Sequence, residues 1–277
     1  MTADQELARI YRSLCEAGID ALVMGGHAVR YYGVDRNTID FDLVTAIATT
    51  RELRLRLPMI GMLGPLKEEL VWRTHDFARY EIGKLPDGRP KWLEFWLRNH
   101  LLDDFAHLKA RAEIGSYGSE SVAFLSLTDL IRSKETERES DWTDITLLEE
   151  IFDARNRDRL ASRRDGAPDY LSSLRSRRGM DLAVKGQLTA DREVLVNALA
   201  ACKHPVTCVF LYPFVSDQPL PTLATSLSSA VQSLLSTVIA ASPRHFAVIE
   251  IARRDYKRAA MDRDRADKQA QLRSTPR

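Results

Sequence analysis

The chain has 277 residues, with 40 Lys and Arg against 39 Asp and Glu, 44% hydrophobic residues, 13 Gly and 11 Pro. At roughly 150 residues per domain this length predicts about two domains, each with its own core, and the composition excludes a disordered, collagenous or fibrous chain. Three scattered cysteines, Cys15, Cys202 and Cys208, exclude a disulfide framework and predict a reducing, cytoplasmic setting; the charged, amphipathic start predicts no secretory leader.

Thr2 and Gln5 have the spacing of a capping box, and Leu7, Ile10, Tyr11 and Leu14 recur at helical spacing up to a stop at Gly18. Ile19 to Met24 reads as a buried strand ended by Gly25-Gly26, and His27 to Tyr32 as a short helix. Ile39 to Val44 alternates apolar and acidic residues, which predicts a strand with Asp40 and Asp42 on one face. Arg51 to Leu57 is expected to be helical. Phe77 to Ile82 and Trp92 to Leu97 are expected strands joined by a turn over residues 85–90. Leu101 to Arg111 reads as a helix and Ser121 to Leu125 as a strand. Helices are expected from Ser126 to about Thr136 and from Asp141 to about Leu160. Strands interleaved with helices predict an α+β or α/β catalytic domain over residues 1–160.

The strand signal fades after residue 160. Ser162 to Gly166 reads as a linker, followed by a mainly helical region, 161–277, with a helix from Thr189 to about Lys203. From His204 to Pro243 the only charge is Asp217, yet Thr222 to Ala241 has 11 apolar residues in 20, too few for a membrane span. This stretch is expected to be buried, or covered by a protein partner or a second copy through residues 206–241, with no membrane insertion. Charge divides unevenly: residues 1–160 carry 22 basic against 28 acidic side chains, and residues 161–277 carry 18 against 11. The basic half, with Arg175, Arg177, Arg178 and the tail from Arg253, suits a polyanion, whereas the same arginines on solvated helices would need no ligand. The tail is expected to start helical and fray.

The chemistry concentrates in Gly25-Gly26-His27-Ala28 and Arg36-Asn37-Thr38-Ile39-Asp40-Phe41-Asp42. A strand ending in two glycines offers bare backbone N–H groups to an anion. Two carboxylates two apart on a strand repel, and a divalent ion with hard oxygen ligands, such as Mg²⁺, removes that conflict. Glu94 is the lone acid in the apolar run Trp92-Leu93-Glu94-Phe95-Trp96, so it is expected either to join the pair or to meet an arginine. No zinc spacing, Walker loop, dinucleotide fingerprint or nucleophile elbow occurs, and His75-Asp76 and His107 have no nucleophile partner.

Together these residues resemble the nucleotidyltransferase superfamily to which DNA polymerase beta belongs, in its minimal prokaryotic form, including stand-alone bacterial proteins of abortive-infection and toxin–antitoxin systems. A second block is similar to the helical segment that follows the core in those relatives: Leu127-Thr128-Asp129-Leu130-Ile131-Arg132-Ser133-Lys134, then Arg138, Asp141 and Asp144. The resemblance spans about residues 19–150. It implies an α+β fold, a small mixed-sheet nucleotidyltransferase core flanked by helices and followed by a mainly helical C-terminal region. It implies Mg²⁺, with two ions or with Mn²⁺ in its place, held by the catalytic carboxylates Asp40, Asp42 and Glu94. It further implies an NTP resting on Gly25 and Gly26, with His27, Arg36, Thr38, Lys134 and Arg138 as further nucleotide contacts.

The acceptor implied by the toxin-type relatives is RNA, tRNA in particular. A protein hydroxyl or a small molecule such as an aminoglycoside is left open, and the preference among ATP, CTP, GTP and UTP is not written in these motifs. A different reading makes the chain an inert partner or scaffold of a two-component system. Where His27 stands, the family more often carries Ser or another small residue.

Overall fold

The computed structural model describes residues 2–57, 69–72, 77–118, 120–160 and 166–274, with 69–72 and 271–274 as backbone only. The linker expected at Ser162 to Gly166 thus falls almost wholly outside the described residues, as do His75 and Asp76. The elements in chain order are α1 (Ala3–Glu16), β1 (Ala21–Val23), α2 (Gly25–Tyr31), β2 (Phe41–Thr45), α3 (Thr50–Arg56), β3 (Glu69–Trp72), β4 (Phe77–Lys84), β5 (Pro90–Trp96), α4 (Phe105–Arg111), β6 (Glu113–Tyr117), β7 (Glu120–Phe124), α5 (Leu127–Ser133) and α6 (Glu139–Leu160). They continue with α7 (Ala167–Ser173), α8 (Arg177–Lys185), α9 (Arg192–Ala201), α10 (Pro205–Leu211), α11 (Thr222–Thr225), α12 (Ser229–Leu235) and α13 (Pro243–Ser274). The fold is mixed α+β. The chain forms two compact units, residues 1–135 with 265–277 and residues 136–264, and the boundary expected at 160/161 lies inside the second.

In the first unit, α1 starts as its sequence dictates: Thr2 Oγ1 accepts from the Gln5 N–H at 3.2 Å and the Gln5 carboxamide accepts from the Thr2 N–H at 2.9 Å. The seven strands form one sheet in the order β3-β4-β5-β2-β1-β7-β6. β2 runs antiparallel to β1 and parallel to β5, which places Asp42 opposite Glu94; β4 runs antiparallel to β5, which places Arg79 opposite Glu94. The β4–β5 turn is the expected one. Gly88 takes φ +84°, and the Asp87 carboxylate accepts from the Arg89 N–H at 3.1 Å. Leu7, Leu14, Leu22, Phe41, Leu43, Phe95 and Phe124 form the core around this sheet.

A polar chain crosses that core. The Tyr117 hydroxyl donates to Asp4 at 2.7 Å and meets His27 Nδ1 at 2.9 Å, while Arg30 donates to the other Asp4 oxygen at 3.0 Å. Tyr117→Phe leaves a buried imidazole nitrogen without a partner and is expected to cost about 1–3 kcal/mol, measurable by urea denaturation.

The second unit is helical, and no strand occurs after Phe124 among the described residues. Its core holds Leu171, Leu174, Met180, Leu195, Phe210, Val231 and Ile249. The charge-poor stretch breaks into α10, α11 and α12. Val206, Cys208, Val209, Phe210 and Leu211 are almost wholly buried in the unit's own core, while Leu223, Leu234 and Ile239 remain exposed. Burial in its own unit is therefore enough to explain why α10 lacks charge. No described helix is long and apolar enough to cross a membrane.

Candidate active site

β1 ends at Val23 and the chain turns through Gly25, whose φ of +62° is the left-handed region that favours glycine. A Cβ on Gly25 would overlap the Asp42 carboxylate, and one on Gly26 would overlap the Thr38 side chain. The glycine pair is therefore required by close approach: the acidic strand and the loop before it lie directly against the bare backbone of the turn. Gly25→Ala is expected to push Asp42 aside and to cost about 1–2 kcal/mol in backbone strain alone, readable as a lower Tm.

β2 begins at Phe41, so Asp40 stands in the bend just before the strand and Asp42 within it. Both are half-buried. The Asp40 carboxyl is pushed up, first by burial and then by the charge of Asp42, and its Oδ1 is buried without a hydrogen-bond partner among the described residues. Glu94, on the neighbouring strand, is pushed up further, by burial first and then by Asp42, both through its charge and through a hydrogen bond. The opposing influence is Arg79, whose guanidinium lies 2.8 Å from Glu94 and 5.0 Å from the centre of the Trp92 ring. Both alternatives weighed for Glu94 thus hold together, since it joins the acidic pair and meets an arginine.

The donor set suits a divalent ion in its chemistry: three hard carboxylates in one patch, with Asp42 raising both Asp40 and Glu94, and one buried oxygen still unpartnered. As the side chains stand, no three His, Cys, Asp or Glu groups among the described residues enclose one ion, and Arg79 supplies the positive charge at Glu94.

The remaining expected contacts are dispersed. His27 is wholly buried, with its ring 5.0 Å from Phe41, and burial holds its pKa down at about 4. Thr38 stays at the turn, its Oγ1 donating to the Asp40 carbonyl at 3.5 Å. Arg36 lies in the same loop, half-buried, its carbonyl accepting from Arg30 at 3.3 Å.

Lys134 and Arg138 do not share a helical face, contrary to their four-residue spacing. α5 ends at Ser133, with Lys134 as its buried C-cap, and α6 starts at Glu139. Local hydrogen bonds break the helix: Thr136 Oγ1 donates to Asp141 at 2.6 Å and accepts from the Arg138 N–H at 3.1 Å, and Trp142 Nε1 donates to the Thr136 carbonyl at 2.9 Å. Arg138 belongs to the second unit, where it lies 3.6 Å from Asp141. Asp129 of α5 holds Arg111 through bonds of 2.8 and 3.0 Å, a structural pair.

Arg79 is the site residue that sequence reasoning missed. Its signal was a cation among the apolar residues Phe77, Ala78 and Tyr80, and only the β4–β5 pairing aims it at Glu94. The second unit has a cavity of about 450 Å³ lined by Trp142, Thr146, Glu149, His204, Arg253 and Tyr256 among others. The His204 ring lies 4.5 Å from Tyr256 and its Nδ1 has no partner among the described residues.

No protein-family model matches the chain, and no curated protein matches it. Among solved structures, the chain is similar to an antigenic nucleotidyltransferase-like protein from Paracoccidioides brasiliensis, at 18% identity over 73% of this chain and 95% of that one, with a TM-score of 0.36. It is similar to the lincosamide antibiotic adenylyltransferase LnuA, solved with lincomycin, at 17% identity over 55% and 98% of the two chains, with a TM-score of 0.38. A third is ANT(2")-Ia in complex with adenylyl-2"-tobramycin, at 20% identity over 47% and 73%, with a TM-score of 0.32.

Proposed function

We propose that the first unit is the active site of a divalent-dependent nucleotidyltransferase, moving an NMP from an NTP to an acceptor hydroxyl with release of pyrophosphate. The observation that carries this reading is the packing of Asp42 and Thr38 against the Gly25-Gly26 turn, with Asp40 just ahead of the strand and Glu94 opposite Asp42 on the adjoining one. Asp40, Asp42 and Glu94 would hold Mg²⁺, or Mn²⁺, which when bound supplies charge neutralisation and activation of the acceptor hydroxyl. The Gly25-Gly26 backbone receives the triphosphate, and Thr38 fixes the loop that carries Asp40. Arg79 holds Glu94 in place and offers its guanidinium to the phosphates. Lys134, Arg36 and Arg138 are given no step.

The acceptor we propose is RNA, because α13 carries Arg254 and Arg258 exposed and without an ion pair among the described residues, and phosphate contacts of this kind give salt-dependent binding. A second reading, a small-molecule acceptor, is favoured by the aromatic cavity of the second unit, whose volume suits a drug-sized ligand. Incubation with each α-labelled NTP and Mg²⁺, with bulk tRNA, with cell protein extract and with a panel of small polyhydroxyl compounds, distinguishes the acceptors. Label that Asp40→Ala/Asp42→Ala abolishes establishes the transferase. The absence of such label and of NTP·Mg²⁺ binding would leave the inert-partner reading.

A further inference from the structure

Cys202 and Cys208 lie in the second unit, remote in sequence from every residue given a role in transfer. Cys202 ends α9 as its C-cap and Cys208 sits in the second turn of α10; Pro205, at the start of α10, folds the five intervening residues back on themselves. Both are free thiols, Cys202 8% exposed and Cys208 wholly buried in the unit's hydrophobic core. Cys208 Sγ donates to Cys202 Sγ at 3.1 Å, and Cys202 Sγ in turn donates to the His204 carbonyl at 3.2 Å. Two sulfurs at this separation are about 1 Å from the 2.03–2.05 Å of a disulfide bond, whereas most buried cysteines pack as isolated small apolar side chains.

We propose that Cys202 and Cys208 form a peroxide-sensitive dithiol that closes to an intramolecular disulfide. The roles follow from exposure and from hydrogen-bond direction. Cys202 is the more exposed residue of the two; it accepts a hydrogen bond from Cys208, which favours its thiolate, besides donating to the His204 carbonyl, and its pKa is on balance lowered while that of its donor Cys208 is raised. The Cys202 thiolate attacks one oxygen of hydrogen peroxide. The O–O bond breaks, Cys202 becomes a sulfenic acid, and hydroxide leaves to be protonated to water. Cys208 Sγ then attacks Cys202 Sγ. The S–S bond forms, the S–O bond breaks, and the hydroxide takes the Cys208 proton and departs as a second water. Two thiols lose two electrons and two protons, and one peroxide becomes two waters. A dithiol reductant reverses the step by thiol–disulfide exchange. Closing the bond ties the end of α9 to α10 and draws Cys202 Sγ from the carbonyl of His204, the residue whose ring packs on Tyr256 in the cavity wall.

The test uses the full chain carrying Cys15→Ser, which removes the exposed thiol and leaves this pair intact. Treated with hydrogen peroxide under native conditions, it is expected to lose two hydrogens in intact mass, to yield one peptide cross-linked between Cys202 and Cys208, and to return to its original mass with dithiothreitol. In a Cys208→Ala version, dimedone is expected to capture Cys202 as its sulfenic acid, whereas with Cys208 present it captures little. A peroxide-treated protein that keeps both thiols alkylatable after unfolding, or accumulates sulfinic acid at Cys202 with Cys208 still free, would overturn the proposal. So would a cross-link that forms only in denaturant. The mass measurement needs no core substitution, so a failure of Cys208→Ala to fold leaves the proposal open to refutation.

Discussion

Asp42→Ala is expected to lower NTP-dependent labelling of the acceptor about 10²–10³-fold, the scale on which one well-placed electrostatic group acts in a transition state. The loss is expected in chemistry rather than in stability, because the Asp42 charge acts on its acidic neighbours chiefly as a repulsion. Its removal withdraws a repulsion that raises both Asp40 and Glu94, and it leaves the 2.8 Å pair between Glu94 and Arg79 intact. The metal-free variant is therefore expected to melt at or above the wild-type temperature; Mg²⁺ or Mn²⁺ is expected to raise the Tm of the wild type and not that of Asp40→Ala/Asp42→Ala. Wild-type labelling by the Asp42→Ala protein would sink the assignment of the site.

The second large effect concerns stability. Asp153 of α6 is buried, and its carboxylate accepts from the Arg175 N–H at 3.0 Å, the Ser176 N–H at 2.8 Å and Ser176 Oγ at 2.6 Å. The same Ser176 caps α8 by accepting from the Gly179 N–H at 2.9 Å, and a Cβ at Gly179 would collide with the carboxylate. Asp153→Ala strands two backbone N–H groups away from water and loosens that cap. It is expected to destabilise the helical unit by about 2–6 kcal/mol, at 1–3 kcal/mol for each of the two orphaned donors.

Burial pushes the Asp153 carboxyl up to about 6 against these hydrogen bonds. Because the folded-state value lies above the ordinary carboxylate range, the group's contribution to stability is complete below about pH 4 and is lost as pH rises through about 6, a difference of about 3 kcal/mol. Asp153→Asn does not titrate, so the stability advantage of the wild type over Asp153→Asn should shrink across that window in urea denaturation followed by circular dichroism. An advantage that grows with pH would contradict the assignment.

The two sites differ in how far they could be read before the structure. Asp40 and Asp42 announced themselves, since acids alternating with apolar residues have a local reason to share one face. Glu94 was legible for the same reason, as a charge in a strand otherwise fit for burial. Arg79 and Asp153 were not, because each is meaningful only through a partner far along the chain: the β4–β5 register in one case, the start of α8 in the other. Lys134 and Arg138 show the reverse. Their spacing fits a helix, but Thr136 offers its hydroxyl to Asp141 and to the Arg138 backbone, and that competition ends α5 early.

Local pattern was enough for the Thr2 capping box, the Gly25-Gly26 stop after a buried strand, the paired acids, the hairpin turn at Gly88, and a helical second half. These depend on dihedral preference, side-chain period and hydrogen bonds a few residues long, so no other part of the chain was needed to specify them. Tertiary packing sets Glu94 beside Asp42 with Arg79 opposite, turns His27 inward to Tyr117, and brings two cysteines sulfur to sulfur. Those outcomes rest on strand order, register and burial, which are fixed by packing between segments distant in sequence or by the close fit of a core. In both cases the energy of a contact depends on neighbours that no local pattern names.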